Sequence, residues 1–486
     1  MQIPVKYTPV VDIALDTISL KKQALVFVNS KASAEKQAED VAKNLEVINP
    51  DLEEQVLKVL PTPTKQCKRL AFCIARGSAF HHAGLHQKQR EIIEDNFRAG
   101  NVKIICSTPT LAAGLDMPAF RAVLKDMKRF THRGMDFIPV LEYLQMAGRA
   151  GRPKYDTVGE SIILTSTESQ KNEIHDRYIL GKPEEIYSKL AAEPVMRTYV
   201  LSLLATGHVK TRDDLLTFFS KTFFGHQYDD MDRLSQIVDS VLHKLSEWEF
   251  LKSTKEEFAS ADDLGEKYTV TLLGKRVAEL YLDPYTAHQL VERIKKHEDK
   301  TDFAYLQALS HTLEMRPLLR VKAKEEAIYQ EKAAIVQEEV LEEEPFDYDD
   351  YVDYLASIKT ASFFEAWCTE KNDDEIFTEF DIRPGEIRAK LDRVDWLIFS
   401  LQEMSKILLT GDRNDLAKLR MRLSYGVKEE LLPLVKIKNV GRARARKLYR
   451  NGIKHAADLR RSDPTTLKQL IGEKTAQKIL QQLSYN

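Results

Sequence analysis

The chain has 486 residues, enough for three or four domains of ~100 to 200 residues each, and its 72 Lys plus Arg against 74 Asp plus Glu leave a net charge of −2. That balance excludes a globally basic protein, so any nucleic-acid contact has to be local. Cys67, Cys73, Cys106 and Cys368 show no CxxC or Cys/His spacing, and there is no signal peptide or apolar run of membrane length; a zinc or disulfide framework is excluded, and a reducing, cytoplasmic setting with no membrane partner is expected.

Residues 1–175 read as α/β. Positions 24–28 and 102–106 are apolar runs of strand length, each followed by a polar turn and a helical pattern, as strands buried on both faces of a parallel sheet are. From 176 the strand signal fades. Helical patterns at 196–205 and 233–250, and a capping-box start at Thr211 with Asp214, precede two short extended runs that flank a polar excursion near 254–267. This predicts a winged-helix domain over 176–282, either a DNA binder or a brace between neighbours. Residues 283–405 are helical apart from an acidic stretch at 338–350, eight acids and no base, expected to be a solvated loop or helix end. Residues 406–486 hold two glycine-hairpin patterns, at 437–443 and 470–476, between helical runs. Ten bases and one acid, Asp458, fall between 436 and 461.

Within the helical region, Ile387, Leu391, Val394, Ile398, Leu401 and Leu408 lie within roughly 80° of one another at 100° per residue, and Trp396 falls opposite them. An outward tryptophan with Arg388 nearby suits stacking along a single strand; packing against a neighbouring domain is the alternative.

Four motifs carry the chemistry. Residues 27–30 (FVNS) close the first strand. Residues 81–85 read HHAGL, and neither His81 nor His82 has metal-site company. Residues 107–118 (STPTLAAGLDMP) follow another strand, where Thr108 and Thr110 can bind phosphates, Gly114 lets backbone approach closely and Asp116 can accept from a ribose hydroxyl. Residues 145–153 (QMAGRAGRP) hold two arginines three apart among small residues, a phosphate-reading surface. In this order and spacing the segments resemble motifs IV to VI of superfamily 2 helicases, and with the paired histidines they resemble the archaeal fork-processing (Holliday-junction-migration) family, relatives of the helicase half of DNA polymerase theta. The resemblance spans nearly the whole chain.

It implies a second RecA-like lobe followed by winged-helix, ratchet and helix-hairpin-helix domains. It further implies that Gln145, Arg149 and Arg152 serve catalysis and that Gly114, Asp116, Arg149 and Arg152 meet ATP. Asn29, Ser30, Thr108, Thr110, Arg388 and Trp396 would touch DNA. Arg129 and Phe130 would sit in a strand-separating hairpin, read as two strands, 122–127 and 135–140, around a basic, aromatic tip. In the tail, Gly441 with Arg442, Arg444 and Arg446 would hold phosphates without regard to sequence. No Walker-type loop or DExH box is present: Gly181-Lys182 is followed by Pro183 and Gly274-Lys275 by Arg276. The chain is therefore expected to be the C-terminal two thirds of a 3′ to 5′ DNA helicase for single-stranded and forked DNA. ATP and Mg2+ would be held mainly by a first lobe supplied in cis or as a separate chain, and the chain alone would be inactive. A non-catalytic DNA-binding or regulatory subunit, or an RNA-processing relative, is the alternative.

Overall fold

A computed structural model describes every residue except 1, 2, 4, 61, 113–116, 132–133, 153–155, 191, 229–230, 255–266, 297–299 and 485–486. Gly114 and Asp116 lie outside the described residues, as do residues 132–133 of the expected hairpin tip and most of the expected wing excursion. The chain forms two units, Met1–Ile186 with Asp381–Arg388, and Tyr187–Phe380 with Ala389–Asn486.

The first unit is built on β1 (Ala24–Phe27), β2 (Ser78–His81), β3 (Ile104–Ser107), β4 (Arg121–Leu124) and β7 (Glu160–Ile163), all parallel in the order β2-β3-β1-β4-β7. The central strands are buried along their whole length, which is why they read as unbroken apolar runs rather than alternating ones. Helices such as Lys31–Ala42 and Lys65–Ile74 cover the sheet through Ala34, Ala38, Val41, Leu70 and Ile74. Arg121, fully buried on β4, is neutralised by Asp16 and Glu160 at 2.6 Å each. The unit continues past position 175: Tyr178 is buried in the same core, and its hydroxyl donates to Ile138 O at 2.6 Å.

The expected hairpin is shifted. β4, which overlaps the span read as its first strand, belongs to the main sheet, and the hairpin strands are β5 (Lys128–Thr131) and β6 (Gly134–Phe137), pairing Arg129 with Asp136 and Phe130 with Met135. Lys128–Thr131, the larger part of the basic, aromatic segment read as the tip, is itself a strand. Apolar residues 122–124 are buried on both faces of the sheet, and the polar alternation marks the two-stranded ribbon.

In the second unit, helices Glu193–Thr206, Arg212–Ser220 and Met231–Glu247 precede an antiparallel pair, β8 (Leu251–Thr254) and β9 (Lys267–Val270). Thr211 and Asp214 form a reciprocal capping box at 3.1 and 3.0 Å. Longer helices follow, Tyr348–Cys368 being buried for most of its length. The acidic stretch is less solvated than expected. Val340 and Leu341 are buried within it, and Glu342 forms an ion pair with the buried Arg293 and lies 3.3 Å from His311. A run of acids hides such a residue because its buried partners are distant in sequence. The tail packs helices Arg442–Arg450, Ala456–Arg461, Pro464–Ile471 and Glu473–Ser484 around Leu448, Leu459, Leu467 and Ile479. No helix among the described residues is long and apolar enough to cross a membrane.

Candidate functional site

The ends of β1 and β3 are in register, Phe27 opposite Ser107, so the residues that follow each strand emerge side by side at the C-terminal edge of the sheet. Ser30 caps the helix Lys31–Ala42, its Oγ accepting from Ser33 N at 3.2 Å. Asn29 N donates to Asp126 Oδ2 at 3.2 Å, and the hydroxyls of Thr108 and Thr110 are 2.9 Å apart. Asn29, Ser30, Lys31, Thr108, Thr110 and Arg383 line one cleft, while Asn29, Thr110, Arg129, Glu142 and Gln145 line a second beside it. Six of the expected site residues thus share one edge. Open clefts at the carboxyl ends of parallel strands are the usual ligand positions in such sheets. Arg129 is anchored to Glu142 at 2.7 Å.

Motif VI begins in the last turn of the helix Val140–Ala147, which carries Gln145. Arg149 is half-buried and donates from Nε, at 3.2 Å, and from Nη2 to Ala112 O, which ties this motif to the threonine-bearing one. Gly151 takes φ of 93° and packs on Gly159, where a Cβ would lie 2.3 Å from Gly151 N; only glycine fits there. Arg152 is more committed: its guanidinium donates to Asp156 at 2.7 Å and to Gln23 Oε1 at 2.8 Å. The hydrogen bond from Arg152, more than burial opposes it, holds the Asp156 carboxyl down at about 2, and Lys22 adds a second ion pair.

The paired histidines serve carboxylates. His81 Nε2 lies 2.9 Å from Glu94 Oε1, and His82 Nε2 3.2 Å from Glu35 Oε1. Burial raises the Glu35 carboxyl, but hydrogen bonds from His82 and Gln66 and the charges of Arg383 and Arg69 outweigh it and hold it at about 2. Burial lowers His82 more than the Glu35 carboxylate raises it. His82 Nδ1 accepts from Gly84 N at 3.1 Å.

The helix Pro384–Leu408 carries the remaining expected strand contacts. Ile387, Leu391, Val394, Ile398 and Leu401 are buried, and Leu408 is half-buried. Lys390, Leu397 and Met404 are buried as well, so the helix is enclosed on more than the expected stripe. Trp396 is half-buried, and its Nε1 donates to Leu280 O at 3.0 Å. The tryptophan edge thus makes a packing contact, which a stripe read from one helix cannot reveal. Arg388 is exposed and closes the segment that returns to the first unit, whereas Trp396 belongs to the second.

In the tail, Gly441 is the N-cap of the helix Arg442–Arg450. Arg442 is half-buried, lies 5.1 Å over the Trp367 ring and donates to Lys371 O. Arg446 is held by Glu370 at 2.7 Å and Glu430 at 2.8 Å. Of the three expected tail arginines Arg444 alone is exposed, and it donates to Asn439 O at 3.1 Å. Sequence reasoning missed Lys31, Glu35, Arg383 and Asp156. Only Asp156 left a signal, its i+4 spacing from Arg152.

Comparison with known proteins covers the same ground. Residues 6–154 match the helicase conserved C-terminal domain, 159–252 a helix-turn-helix domain, 303–426 domain 4 of archaeal helicases, and 431–484 a SAM-like helix-hairpin-helix tandem. The chain is similar to proteins named ATP-dependent DNA helicase Hel308 from Methanocella arvoryzae (37% identical over 96% of this chain), Pyrococcus horikoshii (35% over 97%) and Methanococcus vannielii (34% over 96%). It spans 64%, 65% and 66% of their respective lengths. The parallel sheet with its motif-bearing edge, the helical domain and the hairpin tail all agree with these matches, and the chain belongs to the archaeal Hel308-type family of superfamily 2 helicases.

Proposed function

We propose that this chain acts within an ATP-dependent 3′ to 5′ DNA helicase that opens forked or branched DNA. Residues 1–175 would serve as its second RecA-like lobe, 176–282 as the winged-helix domain, 283–405 as the strand-gripping helical domain and 406–486 as a DNA-binding tail. The observation that supports this most is the gathering of Asn29, Ser30, Thr108, Thr110, Arg129 and Gln145 along one edge of the parallel sheet. Hydroxyls, an amide and cations in an open cleft suit the phosphates of a single strand, which position it without reading its sequence.

The residues present fit one end of a nucleotide. The guanidiniums of Arg149 and Arg152 complement phosphoryl oxygens, whereas no group of three His, Cys, Asp or Glu that could hold a metal ion occurs among the described residues. Bound ATP supplies phosphoryl transfer, the source of free energy for movement. Arg149 would meet its terminal phosphate from a position fixed by Ala112 O; Arg152 would have to exchange Asp156 for phosphate oxygen. ATP and Mg2+ would otherwise be held by a lobe bearing a P-loop, in cis or as a separate chain.

The test is ATP turnover by the purified chain, alone and with a P-loop lobe of the same family, with and without single-stranded DNA. Negligible turnover alone and DNA-stimulated turnover with the lobe are expected, together with unwinding of forks that carry a 3′ tail. Steady DNA-stimulated turnover by the chain alone, or strict dependence on RNA, would overturn the reading.

A further inference from the structure

One residue of the first cleft comes from far along the chain. Arg383 lines it with Asn29, Ser30, Lys31, Thr108 and Thr110. The segment that carries it, Asp381–Arg388, groups with the first unit although the residues before and after it belong to the second.

Three contacts fix the segment on the sheet edge. Gly385 N donates to Gly84 O at 3.1 Å, Glu386 pairs with Lys31, and Arg383 Nε lies 3.3 Å from Glu35 Oε1. The approach leaves no room for side chains: a Cβ on Gly385 would stand 2.3 Å from Leu85 O and 2.4 Å from Ala83 O, and one on Gly84 would stand 2.6 Å from Arg383 Cδ. The Arg383 stem therefore lies along a glycine, and its head is steered to the cleft wall by a carboxylate that is itself buried. Gln66, Arg69 and His82 also surround Glu35.

We propose that Arg383 is a strand-binding residue: the returning segment completes the cleft, and Arg383 with Lys31 and the hydroxyls of Ser30, Thr108 and Thr110 holds a phosphodiester of single-stranded DNA. The proposal rests on the function proposed above. It makes the strand track on the α/β lobe a composite of two stretches of chain about 270 residues apart in sequence, so that grip depends on the returning segment being docked.

The test is fluorescence anisotropy of a short labelled oligothymidylate with the whole chain over a range of salt, for wild type, Arg383→Gln and Arg383→Lys, with the exposed Arg98→Gln as a remote control. Arg383→Gln is expected to weaken binding by about tenfold at low salt and to make the slope of log affinity against log salt shallower by ~0.7, the value for one phosphate contact to a single strand. Arg383→Lys keeps the charge and should retain the slope; Arg98→Gln should change neither. Melting of each variant separates charge from folding: Arg383→Gln is expected to keep the wild-type melting temperature while its salt slope falls, and a salt slope that changes only in step with lost melting would overturn the proposal. If wild type binds and Arg383→Gln matches it in affinity and slope, the proposal fails while the function stands. If wild type does not bind single-stranded DNA at all, both fail.

Discussion

Gly385 donates its backbone N–H to the carbonyl of Gly84 at 3.1 Å, in an approach so close that a methyl group on Gly385 would overlap two backbone carbonyl oxygens. Gly385 stands in the first turn of Pro384–Leu408, where helix propensity alone favours alanine by up to about 1 kcal/mol. The clash decides the sign. Gly385→Ala is expected to destabilise the docked segment by ~1 to 3 kcal/mol, the usual cost of overpacking, read as faster amide exchange at 385–388; slower exchange would show that helix propensity wins.

The two motif VI arginines should separate. Arg152 neutralises Asp156, whose side chain is 1% exposed, whereas Arg149 touches one backbone carbonyl. Arg152→Ala leaves the Asp156 carboxylate with Lys22 and the backbone N–H of residue 152 and is expected to cost ~3 to 5 kcal/mol of stability in the first unit, while Arg149→Ala costs little. With a P-loop lobe supplied, Arg149→Ala should lower turnover by as much as ~10³-fold with DNA affinity unchanged. Equal melting losses for both variants would count against this division.

Acid should act through two carboxylates. Glu35 and Asp156 are held at about 2, below ordinary values of 4.5 and 3.8. A depressed carboxylate stabilises the fold above its unfolded value, and that contribution is lost as pH falls toward the folded value. Protection of the β1 and β3 amides is therefore expected to decline from about pH 4.5 toward about 2. Asp156→Asn should start less stable at neutral pH and converge with wild type in acid. Parallel curves for the two would exclude Asp156 as a contributor.

Trp396 combines a packing edge with a partly exposed ring. Trp396→Phe keeps an aromatic face but leaves Leu280 O without its donor, so a loss of ~0.5 to 1.5 kcal/mol of stability is expected with single-strand affinity nearly retained. Trp396→Ala should cost ~3 to 5 kcal/mol of stability and, if the ring stacks on a base, ~1 to 3 kcal/mol of binding measured on the folded fraction. Normal binding by folded Trp396→Ala would leave Trp396 a packing residue only.

The tail arginines should not behave alike either. Arg444→Gln is expected to weaken single-strand binding and lower the salt slope by ~0.7 without a change in melting. Arg446→Gln breaks a contact with Glu370 and Glu430 and should lower melting first, with the salt slope kept. The reverse pattern, from melting and anisotropy on the same two variants, would place the DNA footprint on the side of the tail that bears Arg446.

The sequence by itself determined the parallel sheet, the helix-hairpin-helix tail and the family, because buried strands, capping residues and glycine turns are local patterns written within a few residues of one another. Asn29, Ser30, Thr108 and Thr110, grouped from the sequence, line one cleft, since parallel strands in register deliver their following residues to the same edge. Only the tertiary structure decided which partners the charged side chains meet. Arg152, Arg442 and Arg446 are engaged by Asp156, Lys371 O and Glu370, and Arg383 enters the cleft from about 270 residues beyond Thr110. Those relationships depend on through-space distance between segments whose separation along the chain carries no pattern. Coulomb and hydrogen-bond energies fall off over a few ångströms, so they are settled by packing rather than by sequence spacing.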